Sequence, residues 1–316
     1  MVEIVTSSGH LFVIDGDLTR LHCDAALVPV DRGLHATRTW RGLLGFSGRV
    51  RGVDLPAGWG DDVRCLLFRR EPGEPEIWLG GIGRSNAPEA WYAEGVVDFV
   101  RRASAGHAPG RRLAVNVAGS GLGGSSHDKG RLFTTIVPAL ASAAADAGND
   151  VVLVCWGEQQ YAAAQRVRTR LRIADDVAAP SSDLTDKAVE LAECARRSEL
   201  VLFIGAGVSM GAGLRSWQGL LEALRDLAPN ETLNDPRFSE LDVRDQANLI
   251  RRHFESPKAY QAAFTSLLAG SRYSLAHGLL ASLRTREAGT TNYDGLFEMA
   301  ASTAGRTFAV LPYEPV

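Results

Sequence analysis

Short runs of strand-forming residues alternate with helical patterns along the first half of the chain, and this alternation constrains the fold more than any other feature of the sequence. The strand-like runs span residues 10–15, 25–30, 64–68, 76–80, 112–118 and 150–156. Helical patterns follow the later runs, over residues 88–104, 132–147 and 159–172. Strands that are followed by helices predict an α/β sandwich with a largely parallel sheet. We therefore expect residues 1–177 to form an α/β domain.

A change of composition divides the chain after this region. Residues 178–185, Ala-Ala-Pro-Ser-Ser-Asp-Leu-Thr, are rich in residues that favour turns. Thr185 or Asp186 can cap a helix that follows. We predict a linker at residues 178–185, a helix over residues 186–198 and a second domain over residues 186–316.

The second domain contains an apolar strand pattern that runs directly into a glycine turn. Residues 200–204, Leu-Val-Leu-Phe-Ile, are followed by Gly-Ala-Gly-Val-Ser at 205–209, and a helical pattern covers residues 217–227. Glycine allows the backbone to approach a pyrophosphate closely. The spacing differs from the usual Gly-x-Gly-x-x-Gly of dinucleotide sites. The residues alone therefore leave two alternatives open, a nucleotide site and a tightly packed turn.

A second motif, Thr-Thr-Asn-Tyr-Asp-Gly at residues 290–295, follows the helical pattern of residues 275–284. On a loop beside a phosphate-binding turn, Asn292 and Asp294 would offer a carboxamide and a carboxylate to a ribose. An Asx turn that caps the next helix explains the same residues, and Asp294 could serve both purposes.

The two motifs, with Trp217 between them and His277 and Leu280 on the helix before the second, resemble the NAD-binding region of sirtuins from Glu199 onward. The resemblance implies a Rossmann-like NAD site in which the glycine turn holds the phosphates and Asn292 lies by the nicotinamide ribose and helps to position water. It implies cofactor-binding roles for Gly205, Ala206, Gly207, Ser209, Trp217 and Thr291, and catalytic roles for Asn292 and Asp294.

The residues after the glycine turn separate two classes of sirtuin-like protein. Protein-deacylating sirtuins have Pro-Asp-Phe-Arg there, whereas this chain has Arg-Ser-Trp-Gln at residues 215–218. Residues 214–217 instead resemble the sirtuin-like NAD hydrolases of bacterial anti-phage defence. The resemblance thus implies hydrolysis of NAD to ADP-ribose and nicotinamide in anti-phage defence. An NAD-dependent protein deacylase is the alternative, and a non-catalytic nucleotide-binding regulatory protein is a third.

The end of the sequence leads to two further expectations. Residues 307–311, Thr-Phe-Ala-Val-Leu, have a strand pattern. The catalytic histidine of sirtuins belongs to a His-Gly motif, which we expect beyond Val316, because His277 precedes the asparagine loop and is explained by helix packing or a surface position. We therefore expect the sirtuin-like domain to be incomplete at its C-terminus and the chain as given to lack turnover.

Three segments of the N-terminal domain point to a second nucleotide site. Gly-Asp-Leu-Thr at residues 16–19, Asp24 before a strand pattern and a glycine-rich loop at residues 119–124 resemble, in this order, a macro domain, which binds ADP-ribose. The residues that the resemblance implies are Asp24 for the adenine and Gly119, Ser120, Gly121 and Gly123 for the diphosphate. Pro-Val-Asp-Arg at residues 29–32 replaces the family's Asn-Ala-Ala-Asn, so we expect binding or sensing of an ADP-ribose-like nucleotide rather than hydrolysis. A flexible connection explains the loop equally simply.

The composition excludes several classes of protein. An apolar fraction of 45% with 22% charged residues is typical of globular domains, and the net charge of −3 gives no electrostatic reason to expect nucleic acid. No apolar run is long enough for a membrane span, and no signal peptide is evident. The four cysteines form no Cys-x-x-Cys pair, so we expect free thiols and no metal site. We expect a cytoplasmic protein, with a homo-oligomer left open.

Overall fold

The computed structural model describes residues 9–83, 87–117, 129–171, 182–228, 236–283 and 285–311. Its strands are β1 (Leu11–Asp15), β2 (Ala25–Asp31), β3 (His35–Ala36), β4 (Gly48–Arg49), β5 (Cys65–Arg69), β6 (Glu76–Gly83), β7 (Arg112–Asn116), β8 (Asp150–Cys155), β9 (Val201–Ile204) and β10 (Glu287–Thr290). Its α-helices are α1 (Arg41–Leu44), α2 (Glu89–Ser104), α3 (Lys129–Ala147), α4 (Glu158–Arg170), α5 (Ser182–Arg196), α6 (Gly207–Met210), α7 (Trp217–Leu227), α8 (Val243–Arg252), α9 (Pro257–Leu268), α10 (Leu275–Ser282) and α11 (Leu296–Thr303).

A six-stranded sheet forms the centre of the fold, with the strand order β1-β8-β7-β2-β6-β5. Every neighbouring pair is parallel except β5 and β6, which form an antiparallel edge. Strand β8 explains this arrangement, because residues 151–155 are all apolar and all buried, as expected for a parallel strand that is covered on both faces. The predicted mixed α/β fold with a mostly parallel sheet is confirmed.

Helices α2, α3 and α4 cover one face of this sheet. In α2, the buried residues Tyr92, Val96, Phe99 and Ala103 recur at helical spacing and pack into the core on that face. Glu89 in the first turn of α2 and the two arginines in its last turn are placed favourably for the helix dipole.

The other face of the six-stranded sheet is covered partly by the C-terminal helices α10 and α11. Tyr273, Leu275 and Leu296 share a buried core with Ile14 and Leu21. The backbone of Tyr273 is also hydrogen-bonded to the N-terminal segment, through its N–H to the Arg20 carbonyl and its carbonyl to the His22 N–H, each at 2.8 Å. Residues that the sequence analysis assigned to a second domain therefore contribute to the core of the first sheet.

The predicted linker at residues 178–185 is only partly among the described residues, and helix α5 already begins at Ser182 instead of residue 186. The predicted helix over residues 186–198 thus begins one turn closer to the N-terminus than expected, and the linker itself stays a prediction. The division into domains at residues 1–177 and 186–316 stays a prediction.

A small parallel sheet of β9 and β10 and a cluster of helices α7, α8 and α9 form the rest of the second half. Leu220, Leu224, Phe238 and Ile250 are buried in this helical cluster. The predicted strand over residues 307–311 is wrong, because that segment is irregular and exposed in the structure. A Rossmann-like second domain is thus not confirmed: the described residues hold two strands of such a sheet.

Two further features of the structure concern membrane-spanning helices and the cysteines. None of the helices in the described ranges is long and apolar enough to cross a bilayer. Cys23, Cys65 and Cys155 are buried, Cys194 is half-buried, and all four are free thiols.

Candidate functional site

The two motifs meet at one edge of the small sheet. Strands β9 and β10 are parallel, with Ile204 opposite Thr290, so both motifs leave the sheet at its carboxyl edge. The Thr291 N–H donates to the Ile204 carbonyl at 3.1 Å and holds the two connections together. In open parallel sheets, ligands bind beyond this edge. The predicted order of strand, glycine turn and helix is found, with Gly205 and Ala206 in the turn and residues 207–209 in the first turn of α6.

Four side chains from three segments converge behind the glycine turn, and we call them the Ser209 cluster: Ser209, His277, Asn292 and Asp294. The buried Ser209 hydroxyl donates to Asp294 Oδ2 at 2.8 Å and accepts from Asn292 Nδ2 at 3.0 Å. His277 Nε2 lies 3.4 Å from the same oxygen. The cluster links the glycine turn to the asparagine loop through one hydroxyl.

His277 is completely buried in α10, so the helix-packing alternative describes it and the surface alternative does not. Ser274 caps α10, and its N–H donates to His277 Nδ1 at 3.2 Å. The Ser274 hydroxyl donates to the Val208 carbonyl at 2.9 Å, which ties α10 to the glycine turn. Burial lowers the pKa of His277, and the Asp294 carboxylate opposes this effect only in part. The imidazole is therefore neutral near pH 7.

Asp294 makes the helix-capping contact of the Asx-turn alternative and also joins the Ser209 cluster, while its contact with a ribose stays a prediction. Its Oδ1 accepts from the Leu296 N–H at 3.1 Å, at the start of α11, while its Oδ2 accepts from Ser209. Asn292 also donates through Nδ2 to the Gly205 carbonyl at 3.2 Å. Asn292 Oδ1, in contrast, is shielded from solvent and has no hydrogen-bond partner among the described residues.

The two glycines of the turn are not required by packing inside the protein. A Cβ atom built on Gly205 or on Gly207 would meet no atom within 4 Å, and neither residue has a positive φ. Gly278 differs, since a Cβ there would lie 2.9 Å from Ile14 Cδ1. The tight-packing alternative therefore does not explain Gly205 and Gly207, which border open space.

The other residues predicted for this site lie around the turn. Ala206 and Thr291 are exposed at the carboxyl edge of the small sheet. Trp217 is the first residue of α7, with 40% of its surface exposed, and Ser216 caps that helix. The roles of these three residues stay predictions.

Asp24 lies at the amino ends of the strands in the six-stranded sheet, whereas the chain enters the glycine-rich loop from their carboxyl ends. It precedes β2, and its carboxylate accepts from the Arg112 N–H, the first residue of β7, at 2.6 Å. The chain leaves β7 toward residues 119–124 at the other end, after Asn116. The loop residues Gly119, Ser120, Gly121 and Gly123 lie outside the described residues. A shared cleft with Asp24 stays a prediction, which the position of Asp24 does not favour.

A charged cleft of about 340 Å³ lies beside Asp24 and was not predicted from the sequence. Its buried carboxylate is Glu76, which is paired with Arg70 at 2.7 Å and Arg111 at 3.1 Å. Burial alone would raise the pKa of Glu76, but hydrogen bonds from Trp78 and Arg111 outweigh it and hold this pKa below its usual value. Arg272, before α10, closes the cleft by pairing with Glu74 at 2.6 Å. No local motif marks these residues, because they come from four separate segments.

The fold and the sites define the class of this protein: a mixed α/β protein with a six-stranded, mostly parallel sheet and polar side chains at the carboxyl edge of a second, smaller sheet. No protein-family model and no curated protein matches the chain.

Among solved structures, the chain is similar to a mutant macrodomain from Oceanobacillus iheyensis, with 12% sequence identity, a TM-score of 0.37 and coverage of 53% of this chain and 95% of that one. It is also similar to a macrodomain from Trypanosoma brucei in complex with ADP, with 15% identity, a TM-score of 0.34 and coverage of 50% of this chain and 68% of that one. At these identities and TM-scores we assign neither a family nor a ligand from the likeness.

Proposed function

We propose that this protein binds NAD at the carboxyl edge of β9 and β10, with the glycine turn at the pyrophosphate and Asn292 at a ribose. The observation that carries this proposal is the unpaired Asn292 Oδ1. Both hydrogens of Nδ2 are used, by Ser209 Oγ and by the Gly205 carbonyl, so the amide is held with Oδ1 turned away from these partners. A shielded acceptor without a donor costs about 1–3 kcal/mol. Because Oδ1 is shielded, a ligand hydroxyl would remove this cost after a small shift of the loop that opens a path to it.

Two further features support a dinucleotide rather than a smaller ligand. The open space in front of Gly205 and Gly207 allows a diphosphate to approach the backbone without meeting a side chain. This space adjoins the asparagine loop, because Thr291 is hydrogen-bonded to the residue that precedes Gly205. A ribose and a diphosphate that are covalently linked would thus contact both motifs at once.

Hydrolysis of NAD to ADP-ribose and nicotinamide is the activity that we propose for this site. Asn292 Oδ1 can hold either the ribose hydroxyl or the attacking water. A general base must also be within reach of the proton that it removes. His277 does not meet this requirement, because it is buried and both of its nitrogens face protein groups. The proposed reaction therefore requires a base other than His277.

Binding is tested by calorimetric titration of NAD, ADP-ribose and nicotinamide into the wild type, Asn292→Ala and Tyr293→Phe. Tyr293 is a matched control on the same loop, since its ring is 71% exposed and packs edge-on against Phe264. We expect Asn292→Ala to weaken NAD binding by about tenfold or more, as for the loss of a hydrogen bond to a ligand, and Tyr293→Phe to leave it unchanged. No saturable NAD binding by the wild type, or equal binding by all three proteins, would overturn the proposal.

Turnover is measured separately, as release of nicotinamide from NAD by the full-length parent protein and by its Asn292→Ala variant; we expect the parent to release nicotinamide and the variant to lose this activity. A deacylase would release nicotinamide only when an acylated lysine peptide is added, and a regulatory protein would bind NAD without releasing it. A role in anti-phage defence would appear as a fall in cellular NAD during infection of cells that carry the wild type, but not of cells that carry Asn292→Ala.

A second nucleotide site, for an ADP-ribose-like ligand, is proposed at the carboxyl edge of the six-stranded sheet. Asn116 ends β7 there, and its Oδ1 is shielded without a hydrogen-bond partner among the described residues. Asp15 ends β1 at the same edge and accepts from the Gly157 N–H at 2.9 Å. ADP-ribose titrations of Asn116→Ala and Asn292→Ala separate the two sites, because each substitution should remove only its own binding event.

A further inference from the structure

The Ser209 hydroxyl has three polar neighbours but only one hydrogen and two lone pairs. An ionised Asp294 can only accept, so the Ser209 hydrogen points to Asp294 Oδ2 at 2.8 Å. Asn292 Nδ2 donates to one lone pair at 3.0 Å. The remaining lone pair faces His277 Nε2 at 3.4 Å and is satisfied only when that nitrogen carries a hydrogen.

The opposite side of the imidazole supports the same tautomer. His277 Nδ1 accepts from the Ser274 N–H at 3.2 Å, within the capping box of α10. If Nδ1 carried the hydrogen, it could donate to Ser274 Oγ at 2.8 Å, but the Ser274 N–H would lose its acceptor and Nε2 would face Ser209 without a donor. Buried groups without partners are unfavourable. The hydrogen-bond network therefore favours hydrogen on Nε2.

We propose that His277 is a positioning residue for the nucleotide: its Nε2–H, together with Asp294, holds the Ser209 hydroxyl in the orientation that accepts from Asn292, and so fixes the Asn292 amide beside the glycine turn. This inference rests on the proposed NAD site. A rotated Ser209 hydroxyl would no longer accept from Asn292 Nδ2, and the Asn292 amide would be fixed by the Gly205 carbonyl alone. His277 thus acts through Ser209 and does not itself contact the ligand.

The test uses two substitutions that differ in the groups they retain. Glutamine at position 277 keeps an acceptor for the Ser274 N–H, as in other capping boxes, and a donor for Ser209. Leucine keeps neither. Both proteins are titrated with NAD under conditions in which circular dichroism shows them fully folded. We expect His277→Gln to bind NAD within about twofold of the wild type and His277→Leu to bind about tenfold more weakly.

A pH profile separates positioning from general support of the fold. Protonation puts a hydrogen on Nδ1, opposite the Ser274 N–H, and so disrupts the capping contact that orients the ring, although Nε2 keeps its hydrogen. The charged groups packed against α10 include Asp294, across Ser209, Asp15 on β1, whose backbone N–H donates to Ser282 Oγ at the far end of the helix, and Arg306, whose guanidinium donates to the Ala281 carbonyl at 3.4 Å. NAD affinity of the wild type should fall as the pH passes below the lowered pKa of His277, and that of His277→Gln should change less. Equal profiles would overturn the proposal.

A measurement without ligand keeps this inference distinct from the proposed function. In protein labelled with ¹⁵N on asparagine side chains, the Asn292 amide signals should be the same in the wild type and His277→Gln, and shifted and broadened in His277→Leu. If the wild type fails to bind NAD but the amide signals change in this way, the NAD assignment is wrong and the positioning role stands. Unchanged amide signals in His277→Leu would overturn the positioning role, whether or not NAD binds.

Discussion

A Cβ atom on Gly278 of α10 would lie 2.9 Å from Cδ1 of Ile14 on β1. Helix α10 therefore rests directly on the six-stranded sheet, and a side chain at this contact would force Ile14 or the helix to shift. The same helix carries Ser274 and His277, which hold the glycine turn. The geometry of the Ser209 cluster thus depends on how closely α10 packs against β1.

We expect Gly278→Ala to destabilise the protein by about 1–3 kcal/mol, as for other overpacked sites. The added methyl group must displace either Ile14 or the helix. Gly295→Ala is the matched control, because a Cβ there would meet no atom within 4 Å. Urea unfolding of both variants provides the measurement. Equal stability of the two variants would show that α10 does not pack on β1 as described.

Gly207→Ala should have the opposite pattern, with the fold retained and NAD binding lost. Its φ is not positive, and the new methyl group would point into open space, so the unfolding free energy should change by less than about 1 kcal/mol. The methyl group would occupy the volume that we assign to the diphosphate. Calorimetry measures NAD binding, and a thermal melt on the same sample measures stability. Full NAD affinity in this variant would show that the diphosphate does not bind at the glycine turn.

Local patterns were enough to predict the two motifs and the strand before Gly205, but not strand β10 before the asparagine loop. Gly205 and Asn292 each follow a strand, and parallel pairing of the two strands brings the motifs to one edge. The contribution of His277 was not predictable in the same way. A helical pattern shows that one face is buried, but not that its histidine lies against Ser209, 68 residues earlier in the chain.

The packing of α10 and α11 against the six-stranded sheet could not be predicted either, because it is determined by contacts between residues far apart in sequence. Tyr273 is held by Arg20 and His22, and its hydroxyl both accepts from the N–H and donates to the carbonyl of Asp17, each at 3.1 Å. A boundary drawn from composition at residues 178–185 gives no information about such contacts. The Glu76 cleft was missed for the same reason.

The thiols should differ sharply in their reactivity. Burial raises the pKa of Cys23 to about 12, with the Asp24 carboxylate adding to the effect, and burial also raises the pKa values of Cys65 and Cys155. The thiolate is the reactive form, so these three should resist iodoacetamide in the folded protein. Cys194, half-buried on α5, should react. Mass spectrometry of native and urea-treated samples should find one and four modified cysteines, and Cys194→Ser should abolish the native modification.

The stability of the protein should depend on pH through two histidines, the buried His277 and the half-buried His22. Burial lowers the pKa of His277 below its ordinary value of 6.5, so the unfolded chain takes up the proton first as the pH falls. Below pH 6.5 the unfolded state therefore binds more protons than the folded state, and the free energy of unfolding decreases with falling pH until the folded pKa is passed. Above pH 6.5 this contribution is fully present. Burial also lowers the pKa of His22, so His22 contributes to the pH dependence of the free energy of unfolding with the same sign.

Urea unfolding of the wild type, His277→Gln and His22→Gln between about pH 5 and 8 separates the two histidines, since the expected slopes follow from the difference in bound protons. Each substitution should reduce the loss of stability on acidification, because glutamine does not titrate, and the two reductions should add. His277→Gln should also retain most of the stability at pH 8, where the imidazole that it replaces is neutral. A wild-type slope that persists unchanged in His277→Gln would mean that this imidazole is not buried against Ser209 and Ser274 in solution.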